Sequence, residues 1–156
     1  MIKRVYVDTS VIGGQFDLEF SADTIPFFEC VRKGKVSIIV SDLLEAELLR
    51  APEQIRQFLK DIPETSVERI KLSEESANLA DKYIAAKVVG KTSRADCQHI
   101  AMATVVHADV LVSWNFKHIV NLDKIRGYNA INYLSGYNMI EIRTPKEIIN
   151  YENSDS

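Results

Sequence analysis

The stretch RADCQHIAMATVVHADVLVSWN, Arg94 to Asn115, commits this chain to a layered fold. Its helical part opens with an acid, Asp96, and runs through Ile100, Ala101, Ala103, Thr104 and Val105 with almost no polar side. A helix of that kind must be buried. An aliphatic strand, Val110–Val112, follows at once, and Ser113, Trp114 and Asn115 stand where it ends. Similar short β-branched runs recur at Ile2–Val7, Val36–Val40, Val67–Leu72 and Met139–Ile142. They are too short for helices and read as strands. Helical periodicity fills the gaps. Ser21–Val31 reads as an N-capped helix with Pro26 in its first turn, and Leu43–Leu49 follows a Ser41 or Asp42 cap. Further helices open at Pro52, Ser73, Asn121 and Pro145. Strands alternating with helices require a parallel sheet sandwiched between helical layers. The expectation is a three-layer α/β sandwich with four or five parallel strands. A single domain is expected over residues 1–150, with a polar tail at 151–156.

A chain of 156 residues is one domain by size. With 46% hydrophobic and 26% charged residues it reads as a soluble globular protein. No apolar run approaches the ~18 residues of a membrane span, and MIKRVYVDTS lacks a signal-peptide core. A cytoplasmic location is expected, with Cys30 and Cys97 as reduced, small hydrophobic residues. The net charge of −3 argues against coating nucleic acid by bulk charge, but not against a metal-filled pocket with a local basic rim.

The acids carry the chemistry. Asp8 ends the first strand in VYVDTSVIGG, where it serves as a helix cap or as a ligand at the carboxyl edge of the sheet. Ser10 can cap the same helix or hydrogen-bond into the same pocket. After the second strand, Glu45 and Glu47 are two residues apart on a helix and point about 200° apart, so only one can face the pocket. The pattern of leucines around them does not decide which. Asp96 complements the positive end of its helix or adds a third carboxylate. His99, at i+3, reads as a hydrogen-bonded core histidine. Carboxylates crowded at one edge raise each other's pKa unless a cation neutralises them. Mg²⁺ or Mn²⁺ suits oxygen ligands, lowers the pKa of a bound water and clamps a phosphate oxygen. The chemistry inferred is metal-assisted phosphodiester hydrolysis.

Three blocks together resemble a PIN domain of the kind found in VapC-like toxin ribonucleases of type II toxin–antitoxin systems. They are VYVDTSVIGG with Asp8, IVSDLLEAELL with Glu47, and RADCQHIAMATVVHADVLVSWN with Asp96. The likeness extends roughly from Ile2 to Ile149. It implies a PIN-like sandwich and selects Glu47 over Glu45. It further implies a metal site of Asp8, Glu47 and Asp96, an RNA substrate, a cognate antitoxin and a homodimer. Where the family often carries a fourth acid and sometimes a fifth, this chain has Asn115 and His118 in SWNFKHI. Asn115 can orient a water or complete a metal shell, and His118 can contact phosphate, but neither adds negative charge. Trp114 reads as a core aromatic or as a base-stacking platform, with Arg94 and Lys117 as a basic rim.

The first functional reading is therefore a Mg²⁺- or Mn²⁺-dependent endoribonuclease. The alternative is a catalytically degenerate PIN-like domain that binds RNA or a protein partner without cleavage. A receiver-like phosphotransfer domain fits poorly, because Ser41 rather than an acid follows the second strand.

Overall fold

The computed structural model describes residues 2–154. Its elements run β1 (Arg4–Val7), α1 (Thr9–Gly14), α2 (Ser21–Arg32), β2 (Ser37–Ser41), α3 (Asp42–Leu48), α4 (Glu53–Phe58), β3 (Val67–Ile70), α5 (Glu74–Ala85), α6 (Arg94–Val105), β4 (Val110–Val112), α7 (Leu122–Leu134), β5 (Ile142–Arg143) and α8 (Pro145–Ser154). The five strands form one parallel sheet in the order β3-β2-β1-β4-β5.

Alternation along the strands divides the core in two. Val5, Val7, Ile38, Val40, Val110 and Val112 face one way, against Phe27, Phe28 and Val31 of α2, Leu44 and Leu48 of α3, Phe58, and Ile148 of α8. Tyr6, Ile39, Leu111 and Ile142 face the other way, against Leu79, Ala80 and Tyr83 of α5, Cys97–Ala103 of α6, and Tyr128 of α7. Both faces of the sheet are covered, which is why its central strands β1, β2 and β4 are buried and largely apolar, while the edge strand β3 carries Glu68 and Arg69. Helix α7 approaches the loop after α5 at Gly127, where a Cβ would lie 2.8 Å from Val88 Cγ1.

Several boundaries differ from the sequence reading, for local reasons. Strand β1 begins at Arg4, not Ile2, because Asp109 Oδ2 captures the N–H groups of Lys3 and Arg4. Strand β3 stops at Ile70, and the Leu72 N–H turns to Asp42 Oδ1. Strand β5 is shifted past Ile140, whose N–H and C=O are both taken by the Asn129 side chain. Pro26 lies inside α2 rather than in its first turn, and the cap position is Phe20, with no side-chain capping bond. Helix α8 runs through Ser154 into the segment expected as a tail. Residues 155–156 of that tail, like Met1, lie outside the described residues. Among the described residues no helix is long and apolar enough to cross a membrane.

Candidate active site

The strand order reverses at β1. Its connection through α1 and α2 leads to β2 on one side, while β4 on its other side continues into α7 across the opposite face. Crevices at the carboxyl ends of such strands are where open α/β sheets bind ligands. Asp8 and Ser113 meet in this crevice, and the Ser113 hydroxyl donates to Asp8 Oδ2 at 2.6 Å. Ser10 donates to Asp8 Oδ1 at 2.6 Å, and the Val11 N–H reaches the same oxygen as Asp8 caps α1. The two serines are themselves tied down, Ser10 by the Trp114 N–H and Ser113 by the Asn115 N–H. Asp8 is only 4% exposed. Burial pushes its carboxyl up, against the opposing pull of His99 and of the Ser10, Ser113 and Val11 donors. Ser10 is thus an organiser of Asp8, with its hydroxyl engaged within the protein.

Glu47 and Glu45 separate as helix geometry requires. Glu45 turns outward to an ion pair with Arg69 at 3.2 Å. Glu47 turns inward, where its Oε1 accepts from the Thr9 hydroxyl at 2.9 Å and pairs with His99 Nε2 at 2.7 Å. Burial alone would raise the Glu47 carboxyl. The His99 and Thr9 contacts outweigh it, and the net direction is down.

Asp96 stands in the first turn of α6, with Oδ1 3.4 Å from the Asn115 amide nitrogen. Its carboxyl is raised, first by burial and further by Asp8 and Glu47, against the opposing His118 and His99 imidazoles. The three acids therefore share one electrostatic environment. They do not form a closed cage: among the described residues, no three His, Cys, Asp or Glu side chains are spaced to ligate one ion. Both Asp8 oxygens are turned to hydroxyls, and one Glu47 oxygen to Thr9 and His99. The oxygen donors and unbalanced negative charge fit Mg²⁺ in its usual protein mode, one or two carboxylates with the remaining ligands water. Asn115 Oδ1 is occupied by the N–H groups of Lys117 and His118 and shapes the turn that follows β4. His118 Nδ1 is buried without a hydrogen-bond partner among the described residues.

At the rim the structure decides between the two readings given for Trp114. Trp114 is 9% exposed, stacks on Phe20 at 4.6 Å and donates Nε1–H to Thr24. It is a core aromatic, not an open platform. The next aromatic, Phe116, is 49% exposed with its ring 6.1 Å from that of Trp114. Arg94 is held by Asp81. Lys117 is exposed and forms no ion pair among the described residues, and the same holds for Arg50. Arg50 lines an open cavity of about 510 Å³ with Thr9, Leu43, Ala46 and Glu47. Sequence reasoning placed Ser113 at the strand end without giving it a role, and missed Thr9, Arg50 and Phe116 as parts of this region. Ser113 and Thr9 adjoin residues already singled out, which was a usable signal. Arg50 and Phe116 carried none until the fold placed them.

No protein-family model and no curated protein matches the sequence. Comparison of folds defines the class: the sheet order and helical layers are those of a PIN-like fold. The structure is similar to VapC20 of Mycobacterium tuberculosis, described as a Sarcin-Ricin loop cleaving toxin. The TM-score is 0.55 at 11% identity, over 72% of this chain and 91% of that one. It is also similar to VapBC2 of Rickettsia felis, solved bound to a DNA fragment from its promoter. There the TM-score is 0.52 at 18% identity, over 73% of this chain and 89% of that one.

Proposed function

We propose that this chain is a metal-dependent endoribonuclease and the toxin of a toxin–antitoxin pair. The observation that carries the proposal is the gathering of Asp8, Glu47 and Asp96 at the switch point of a PIN-like sheet, where burial first, and then Asp8 and Glu47, push the Asp96 carboxyl up. Asp96 and Glu47 would hold Mg²⁺ or Mn²⁺ directly, with Asp8 behind them. When bound, the ion supplies Lewis acidity, a water of lowered pKa and a clamp on a phosphate oxygen. The chain's own groups do the rest. Ser10, Ser113 and the α1 cap keep Asp8 fixed and ionisable despite burial. Asn115 holds the turn after β4 and donates toward Asp96. Arg50 and Lys117 offer unpaired positive charge to the RNA backbone on the site's rim. Phe116 offers the open ring face for stacking a base, an interaction worth about 1–3 kcal/mol per base.

The VapBC2 neighbour supports a protein partner of the antitoxin kind. Homodimerisation is part of the proposal, and light scattering on the purified chain tests it. The decisive assay is cleavage of a mixed RNA pool with Mg²⁺ or Mn²⁺, beside EDTA and Asp96→Asn controls. Cleavage lost in both controls is expected. Cleavage that persists in both is contamination and voids the claim.

Two features favour a second reading: the PIN resemblance has Asn115 where an acid often stands, and among the described residues no three acids are spaced to ligate one ion. A degenerate PIN-like domain that binds RNA or protein without cutting would show RNA retention with no cleavage by wild type.

A further inference from the structure

We infer that His99 is a positioning residue, the inner end of a buried hydrogen-bond relay that aims Glu47. The inference deepens the ribonuclease reading and rests on it for its purpose, not for its geometry.

His99 is 2% exposed on the buried face of α6, so both its ring nitrogens need partners inside the protein. They have them. Nε2 lies 2.7 Å from Glu47 Oε1 and Nδ1 lies 2.6 Å from the Tyr6 hydroxyl. That hydroxyl is 3.1 Å from Ser41 Oγ, which accepts the Leu44 N–H at 3.0 Å as the cap of α3. Tyr6 and Ser41 are fully buried. A carboxylate only accepts, so Nε2 carries hydrogen and donates to Glu47. The Tyr6 hydroxyl donates to Ser41 Oγ and its oxygen lies against Nδ1, so both ring nitrogens and both hydroxyls are engaged inside the protein.

The relay joins β1, β2 and α6 to the second turn of α3. The Tyr6 ring meets the imidazole edge-on, 5.7 Å between centroids and 67° between planes, which fixes the ring's orientation. His99 and Thr9 together occupy Glu47 Oε1 and take up that oxygen's accepting capacity. Oε2 accepts no hydrogen bond among the described residues. Glu47 is thus held by one oxygen and presents the other. Outer partners of this kind typically change metal affinity about 10–100-fold when removed.

The test uses full-length protein with Mn²⁺ alone as probe. His99→Leu removes both nitrogens. His99→Gln keeps an amide N–H for Glu47, near where Nε2 stood. Tyr6→Phe removes the relay's hydroxyl and keeps its ring. Mn²⁺ affinity, read from the free-ion EPR signal, should fall about 10–100-fold in His99→Leu. It should recover to within a few-fold of wild type in His99→Gln, and Tyr6→Phe should lie between. Equal affinity in all four proteins overturns the inference. If His99→Leu does not fold, unchanged affinity in Tyr6→Phe does the same. A metal-free cycle separates this inference from the ribonuclease reading. Melts in EDTA of His99→Leu, Glu47→Ala and the double variant should be non-additive. Additive losses overturn the positioning role whatever Mn²⁺ does. Clear coupling in a wild type that binds no Mn²⁺ keeps the positioning role and overturns the metal-dependent reading.

Discussion

The Asn115 amide nitrogen lies 3.4 Å from Asp96 Oδ1, while Asn115 Oδ1 accepts the N–H groups of Lys117 and His118. One side chain closes the turn after β4 and faces an acid. Asn115→Asp keeps the turn contacts and sets two carboxylates against each other. In EDTA its melting temperature should fall by about 1–3 °C, as expected for a like-charge contact of under ~1 kcal/mol in a chain of this size. Mn²⁺ should then raise the variant's melting temperature more than it raises that of wild type. Paired melts decide it; equal gains contradict the placement of Asn115 beside the cation.

The raised Asp96 carboxyl makes a pH prediction of definite sign. A carboxyl with a higher pKa folded than unfolded binds its proton more tightly in the native state. Its charge therefore costs stability above the folded pKa, and the cost fades as pH falls toward the ordinary value of 3.8. Asp96→Asn should accordingly melt higher than wild type at pH 7 in EDTA, by up to about 2–4 °C for ~1 kcal/mol; solvent screening at this partly buried group lowers that ceiling. The advantage should shrink on acidification and vanish below pH 3.8. A gap that widens toward low pH would overturn this.

Glu45 and Glu47 form an internal comparison. Glu45→Gln breaks an exposed pair with Arg69 and should cost under about 1 kcal/mol. It should leave Mn²⁺ affinity and RNA cleavage unchanged. Glu47→Gln should weaken Mn²⁺ binding at least tenfold by removing the charge presented to the site. Titrations of both variants check this, and equal behaviour would mean that the inward turn of Glu47 has no chemical meaning.

Gly14 lets Trp114 reach Thr24. A Cβ there would lie 2.8 Å from both Thr24 Oγ1 and Trp114 Nε1. Gly14→Ala should cost about 1–3 kcal/mol by overpacking. Trp114 is the only tryptophan, so its emission reports the change directly. A red shift and loss of the Nε1–H bond are expected; an unchanged spectrum and melt would show that the site relaxes freely.

The sheet was legible because its strands are aliphatic runs between helical periodicities, and Val5, Ile38 and Val110 do pair as neighbours. Strand ends were not, because single side chains set them: Asp109 over Lys3 and Arg4, Asn129 over Ile140. Asp8 and Asp96 stood out at element boundaries. The direction of Glu47 did not, since its helix offers leucines on more than one side and only Thr9 and His99, brought in by other elements, mark the inward face. Trp114 and Phe116 could not be told apart by type. Their roles depend on Phe20 and Thr24, nearly a hundred residues earlier.

Asp8 caps α1 and receives the Ser10 and Ser113 hydroxyls. Asp8, the acid at the end of the first strand, is one choice of inactive reference for the proposed chemistry. In this chain that choice would confuse two experiments. Asp8→Asn uncaps a helix and weakens the acceptor of two buried donors, so silence in an assay would report damaged folding as readily as lost chemistry. Asp96 makes one long contact, to Asn115, among the described residues. It can be neutralised with the scaffold intact, which makes Asp96→Asn the reference against which any activity of this chain should be measured.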